Sequence, residues 1–376
     1  VLGFVKDQLV EQVIFGDGLL EFQARARDTL EPEELLALLR EALDARPDLW
    51  HAWSAIIGQL LDMDQLDEAW QLACRATERF PLLPRLWLDR ATVCRARADG
   101  DAELEALETA YQINPDWGTV VRALCDLHDR RGDFDRSRQL LEKAVGRSPL
   151  DISNRILLAE TLWRLEEREQ ALECIHDAVQ RDPGYERAWD LLNGWADQLG
   201  CPDRALEAAR ELTVHRGGEA RSWLMLARLL DAPEEMDERM AALDKVIELS
   251  PRCEDAYDMR AVSLARAGHW DEAQEACRPP LWNDRPPVIL RARSAWLEAE
   301  QGNLQDAIAA MREVVQDEPY FFEAWSRLAD WNVLARDYAG YLEAAEMLVR
   351  LRPQYEVGYG CLGEARLLNN DREGSR

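Results

Sequence analysis

Proline recurs in this chain on a fixed count. It stands at residues 47, 81, 115, 149, 183, 251, 319 and 353, and every gap is 34 residues or a multiple of 34. The two remaining slots of the series hold Gly217 and Arg285, the latter followed at once by Pro286. Proline stops a helix because it has no amide hydrogen and disfavours a helical residue before it. A stop signal on such a clock implies equal structural units that bury their faces against one another.

Other positions keep the same time. With each unit numbered from the third residue after its slot, position 4 holds Trp53, Trp87, Trp189, Trp223 and Trp325, with Tyr257 and Tyr359 substituting. Position 8 holds Ala91, Ala159, Ala227, Ala261, Ala295 and Ala329, then Gly363. Position 20 holds Ala69, Ala171, Ala205, Ala273 and Ala307. Turn signals such as "RGDFD", "AGHWD" and "QGNLQ" lie between the halves. Each unit therefore reads as an apolar-periodic helix, a polar turn, a second amphipathic helix and a proline-terminated turn. Small residues at positions 8 and 20 let two helices cross closely, and the aromatic at position 4 fills the wedge where they diverge.

The stretches "AWDLLNGWADQLGCPDRALEAARELTVHRG" and "AYDMRAVSLARAGHWDEAQEAC" carry a Trp/Tyr, Leu, Gly/Ala, Ala and Pro pattern. In that pattern the chain resembles the tetratricopeptide repeat (TPR) family over residues 16–376, as ten full units and the first helix of an eleventh. The resemblance implies an all-α fold: an α-solenoid, wound as a right-handed superhelix, of about ten to eleven 34-residue helix-turn-helix units. Units beginning at 16, 118 and 288 depart at position 4, with Leu19, Val121 and Arg291, which points to looser packing there.

One stretch strains the pattern. "CRPPLWNDRPPVIL", residues 277–290, places Pro279, Pro280, Pro286 and Pro287 close together, yet Pro251 to Pro319 is still two periods. The expected result is a shortened second helix and a distortion over 277–287 within one continuous array, rather than a linker. Trp282 then has two readings: it folds back over core left bare by the broken helix, or it marks a hinge or an exposed anchor for a partner.

Composition narrows the function. The apolar fraction of 47% supports a large core, and no apolar run is long enough to enter a membrane as a helix. A formal net charge of −27 disfavours a nucleic-acid partner, since phosphates need a dense basic surface. Only Lys6, Lys143 and Lys245 are lysines, and the other cations are arginine. That excess fits either selection for planar carboxylate-binding forks or a GC-rich, bacterial coding genome. Eight cysteines stand singly with no CxxC pair, which reads as a reducing, cytoplasmic setting without disulfide framework or zinc site.

The ends differ from the rest. "VLGFVKDQLVEQVIF", residues 1–15, is a non-repeat helix candidate that caps the first unit or docks on another domain. "LGEARLLNND" supplies a first helix without its second, so the last unit reads as truncated or as a face for self-association.

A search for chemistry returns little. The five histidines have no metal-ligand spacing, and no GxSxG, P-loop or GxGxxG motif occurs. No catalytic, cofactor or metal residue is expected.

In the resembled family, positions 2, 5, 6, 9, 12 and 13 of the first helices line a concave groove. Carried onto this chain, they select Arg85, Arg122, Asp126, Glu160, Trp163, Arg164, Arg187, Asp190, Arg221, Arg228 and Trp296 as candidate peptide- or partner-binding residues. Between Arg85 and Asp231 these rows hold eight arginines and seven carboxylates, so the groove is near neutral within an acidic chain. The interleaved charges are either intramolecular ladders or a polar track for an extended peptide, with Trp163 and Trp296 as aromatic anchors or packing residues. Neither the basic and asparagine clamp of chaperone-tail binders nor the asparagine ladder of the O-linked N-acetylglucosaminyltransferases is present. The expected function is a non-catalytic interaction scaffold. Alternatives are a docking arm of a larger enzyme and a self-associating array.

Overall fold

The structure, a computed structural model, describes residues 17–369 apart from Asp28 and Asp284. The helix expected over 1–15 lies outside the described residues. Among those described there are 21 α-helices, two short 3-10 turns and no strand. The fold is an all-α solenoid of helical hairpins.

The clock is kept to the residue. First helices are α1 (Asp17–Ala26), α3 (Trp50–Asp62), α5 (Pro84–Ala96), α7 (Gly118–Arg130), α9 (Ile152–Arg164), α11 (Glu186–Gln198), α13 (Ala220–Leu229), α15 (Glu254–Arg266), α17 (Val288–Glu300), α19 (Phe322–Leu334) and α21 (Glu356–Leu368). Second helices are α2 (Pro32–Ala45), α4 (Leu66–Arg79), α6 (Gly100–Ile113), α8 (Phe134–Arg147), α10 (Arg168–Arg181), α12 (Asp203–His215), α14 (Met236–Leu249), α16 (Trp270–Ala276), α18 (Leu304–Asp317) and α20 (Tyr338–Leu351). The chain divides into two compact units, Val1–Trp195 and Ala196–Arg376, and the division falls within α11.

The position-4 aromatic does more than fill a wedge. Its ring donor closes a bond back to the slot carbonyl six residues earlier: Trp53 Nε1 to Pro47 O at 3.2 Å, Trp87 to Pro81 at 2.9 Å and Trp189 to Pro183 at 3.1 Å. In the second unit Trp223 bonds Gly217 O at 2.8 Å, Tyr257 Oη bonds Pro251 O at 3.2 Å, and Trp325 bonds Pro319 O at 2.8 Å. A residue here needs a large apolar body and a donor at its tip, which describes Trp and Tyr. Arg155, which also stands at position 4, substitutes a guanidinium and reaches Pro149 O at 3.4 Å. Burying an indole of about 200 Å² is worth ~5 kcal/mol, to which the bond adds ~1 kcal/mol.

Small residues sit where the hairpins cross. Ala91, Ala159, Ala227 and Ala261 at position 8, and Ala69, Ala171, Ala205 and Ala273 at position 20, are all buried. Leu19 and Val121, where looser packing is expected, are both buried. Arg291 instead turns to Asp317 at 2.8 Å.

Two helices of the second unit are cut short. α16 ends at Ala276, seven residues long where other second helices run to 13 or 14. The chain then makes a 3-10 turn at Pro280–Trp282 and passes through Asn283 at φ 50°. Trp282 lies edge-on to Tyr257, with ring centroids 5.4 Å apart, and so covers part of the space left by the missing turns. The sequence reading passed over the second break. α13 stops at Leu229 and is followed by a 3-10 turn at Pro233–Glu235. There Arg239 donates to the freed Leu230 carbonyl at 2.9 Å and to Asp231 at 3.0 Å.

Candidate binding surface on the first helices

The sequence-selected residues all lie on first helices, and most of the charged ones meet partners within the chain. In the first unit Arg85 holds Asp89 at 3.0 Å on α5. Asp126 on α7 accepts from Arg95 at 2.7 Å and from Arg130 at 3.3 Å, and Arg130 continues to Glu103 at 2.6 Å. Arg164 on α9 pairs with Asp129, which also accepts from Ser137 Oγ at 2.7 Å. Arg187 on α11 pairs with Glu160 on α9. The Arg95–Asp126, Arg164–Asp129 and Arg187–Glu160 pairs tie successive first helices together, the geometry of an intramolecular ladder.

Two charged candidates of this unit stand apart. Arg122 is exposed and donates only to Thr119 Oγ1, at 3.3 Å, with no ion pair among the described residues. Asp190 is exposed and has no hydrogen-bond or ion-pair partner among them. Trp163 is half-buried and stacks on the buried Trp195, centroids 4.5 Å apart and planes 4° from parallel. The Arg168 guanidinium lies 4.1 Å from the Trp163 ring centroid. A rigid aromatic plate backed by a cation thus borders the charged rows.

In the second unit Arg228 pairs with Asp255 at 2.9 Å, and Arg293 grips Asp258 through two bonds of 2.7 and 3.0 Å. Trp296 is half-buried, packs into the hydrophobic core and receives the Arg293 guanidinium at 5.0 Å. Arg221 is exposed with no partner among the described residues. Asp231 binds both Arg266, at 2.5 Å, and Arg239, and the Arg266 bond is the largest cause holding its carboxyl below the usual carboxylate range.

Position 20 explains part of this order. In four of the five hairpins that lack alanine there, Leu35 being the fifth, a polar side chain reaches from the helix crossing to the charged rows. Glu103 binds Arg130, Ser137 binds Asp129, Arg239 binds Asp231, and Tyr341 donates to Glu364 at 3.0 Å. Sequence reasoning noted the alanines and not their replacements, although the replacements carried the signal. Burial pushes the Asp89 carboxyl above its ordinary value, opposed by Arg85 and the Ser54 hydroxyl. Burial likewise raises the Cys94 and Cys174 thiols to about 11 and the Cys125 and Cys277 thiols to about 12, so they stay protonated and unreactive at neutral pH. No cysteine is in a disulfide, and among the described residues no cluster of His, Cys, Asp or Glu has the makings of a metal site. No helix among them is long and apolar enough to cross a membrane.

Two family models, both described as tetratricopeptide repeat, match residues 130–193 and 220–253. The chain resembles that family, as its period implied. Among solved structures it is similar to Naa15/Naa10 bound to HypK-THB, at 15% identity and TM-score 0.35, covering 96% of this chain and 67% of that one. It is similar to TTC0263, a thermophilic TPR protein of Thermus thermophilus, at 19% identity and TM-score 0.36, covering 48% of this chain and 99% of that one. YrrB, a TPR protein with an unusual peptide-binding site, matches at 15% identity and TM-score 0.35, over 58% of this chain and 95% of that one. No curated protein matches.

Proposed function

We propose that this chain is a non-catalytic scaffold for protein–protein interaction that holds an extended peptide or a partner helix against its first helices, in a reducing, cytoplasmic setting and without cofactor or metal. The observation that carries the reading is the division of labour on α7, α9 and α11. Arg130, Arg164 and Arg187 are committed to carboxylates of the chain, whereas Arg122 on α7 and Asp190 on α11 stand exposed without an ion pair among the described residues, on the helices to either side of α9, whose Trp163 stacks on Trp195. Unpaired charges and a rigid aromatic on neighbouring first helices suit a peptide's carboxylate, amide and apolar groups along its length.

Two arginines that look alike in sequence separate on this reading. Arg122→Ala should weaken a partner recovered with the intact chain about tenfold, ~1.4 kcal/mol, with no change in melting. Arg164→Ala should lower melting, because it strands Asp129, whose side chain is only 22% exposed. Binding untouched by Arg122→Ala would remove the peptide track and leave the rows as a stiffening ladder.

A second reading, self-association, rests on α21, where Val357, Tyr359 and Leu367 are each more than half exposed. Sedimentation over a concentration series tests it, and a strict monomer eliminates it.

A further inference from the structure

A pocket of about 510 Å³ is bordered by the second helices α18 and α20 and by the first helix α19 between them. Asn332 of α19 lines it while only 1% exposed. Neither end of its side-chain amide has a hydrogen-bond partner among the described residues, and the two ends differ in access: Oδ1 is sealed from solvent and Nδ2 is not. Packing alone does not ask for an amide, since the same position of other hairpins holds Leu60, Leu162, Leu230 and Leu264, all buried.

A second departure places that donor. Gly340 stands in α20 where the other hairpins carry a side chain, such as Glu68, Arg136 or Glu238. A Cβ on Gly340 would come within 2.7 Å of Asp337 Oδ2, 2.8 Å of Arg312 Nη2 and 2.9 Å of Asn332 Nδ2. The bare glycine thus leaves a notch with a carboxylate oxygen, a guanidinium nitrogen and an amide nitrogen gathered around it, and all four residues line the pocket. Arg312 and Asp337 pair at 2.9 Å, and Asp337 also accepts from the Gly340 amide at 3.0 Å. Nδ2 alone of the three has nothing to bond. Gln316 and Glu343 add a second amide and a second carboxylate to the lining, and Val315, Trp325 and Leu328 add apolar surface.

The mixture of charges decides the ligand. An anion would meet Asp337 and Glu343, and a cation would meet Arg312. A hydroxyl suits all three, because it donates to a carboxylate oxygen and accepts from an amide or guanidinium nitrogen. We propose that this pocket binds a neutral, hydroxyl-rich ligand of monosaccharide size, one hydroxyl of which accepts the Asn332 Nδ2 hydrogen bond while the ring lies against the apolar residues. An apolar lining with a few convergent polar groups, in a volume of roughly 300–1,000 Å³, is the usual make-up of a small-ligand site. None of these residues belongs to the surface on α7, α9 and α11, so the assignment is independent of the peptide reading.

The test titrates the full chain with the methyl glycosides of glucose, galactose and mannose, read by saturation-transfer-difference NMR. Their uronate and 2-amino counterparts are the charged controls, and tetrahydropyran-2-methanol keeps the ring with a single hydroxyl. Saturable binding of at least one glycoside is expected, with its charged counterparts weaker and tetrahydropyran-2-methanol weaker by about tenfold or more. Asn332→Leu should weaken glycoside binding about tenfold and melt no lower than the parent, because leucine fills that position in other hairpins. Gly340→Ala, which closes the notch, should weaken binding at least as much, and with the ligand series on the parent it keeps the result readable if Asn332→Leu packs badly. No saturable binding of any glycoside, equal binding of tetrahydropyran-2-methanol, tighter binding of a charged counterpart, or binding unchanged in either variant would overturn the assignment.

Discussion

From α2 onward the hairpins of the first unit keep their helices whole, while those of the second lose a turn in α13 and half of α16. Both units nevertheless hold the 34-residue phase. Helix continuity therefore does not keep the count. What persists across both units is the bond from position 4 to the slot carbonyl and the close crossing at positions 8 and 20. Where the second unit gives up helical hydrogen bonds, a side chain takes over. Arg239 caps the Leu230 carbonyl, Trp282 leans on Tyr257, and Arg285 with Arg291 converges on Asp317 at 3.0 and 2.8 Å.

The strongest challenge to that comparison exchanges the polar crossings. Arg239 is 11% exposed and satisfies a carbonyl that a whole helix would have paired internally. Arg239→Ala should cost about 3 kcal/mol, with hydrogen exchange rising first in α13 and α14. In the first unit Glu103→Ala restores the residue that five other hairpins carry, and Arg130 keeps Asp126. Its cost should stay near ~1 kcal/mol. Equal losses would mean that Arg239 is not standing in for the missing turn.

How far the sequence foretold this can be judged residue by residue. The starts of α3, α5, α7, α9 and their successors fall on the predicted first positions, because proline, alanine and the aromatic each answer a separate physical demand of the hairpin. The break after Leu229 was hidden even though Pro233 was in view, since a kink inside a unit leaves the count intact. Pairing in the charged rows was not legible. Arg187 had carboxylates on neighbouring turns to choose from, and side-chain reach across the helix interface settled on Glu160. Arg122 and Arg164 look equivalent in sequence, yet only Arg164 forms an ion pair with a carboxylate of the described residues.

Asp89 gives a pH-dependent version of the comparison. Burial raises its folded-state pKa, so between the unfolded and folded values the folded chain holds the extra proton. Stability from this group is therefore present at low pH and is lost as pH rises through the folded value. Asp89→Asn removes that ionisation and still offers Arg85 an acceptor. The variant should be more stable than the parent by about 1 kcal/mol at pH 7, and the advantage should vanish as pH falls below about 4. Asp231 has the opposite shift, its ordinary value being lowered chiefly by Arg266. Asp231→Asn should therefore lose stability at neutral pH and converge on the parent in acid. Urea midpoints across pH check both signs, and parallel curves for the two variants would contradict them.

The smallest expected effect lies in the hairpin turns at position 15. In the second unit Gly200, Gly268 and Gly302 take the left-handed backbone there, Arg336 takes it as a non-glycine residue and Glu234 lies instead in the 3-10 turn, whereas in the first unit Gly132 alone is glycine and Asp64, Ala98 and Glu166 adopt φ near 60°. An L-residue in that region costs about 1 kcal/mol, partly offset by the freedom glycine loses on folding. Glu166→Gly should therefore raise stability by ~0.5–1 kcal/mol. A Cβ at Gly132 would meet nothing within 4 Å, so Gly132→Ala isolates the backbone cost and should lower stability by a similar amount. If Glu166→Gly destabilises while Gly132→Ala behaves as expected, the Glu166 side chain contributes more than its backbone costs. The first unit's non-glycine turns would then be chosen for contacts rather than merely tolerated.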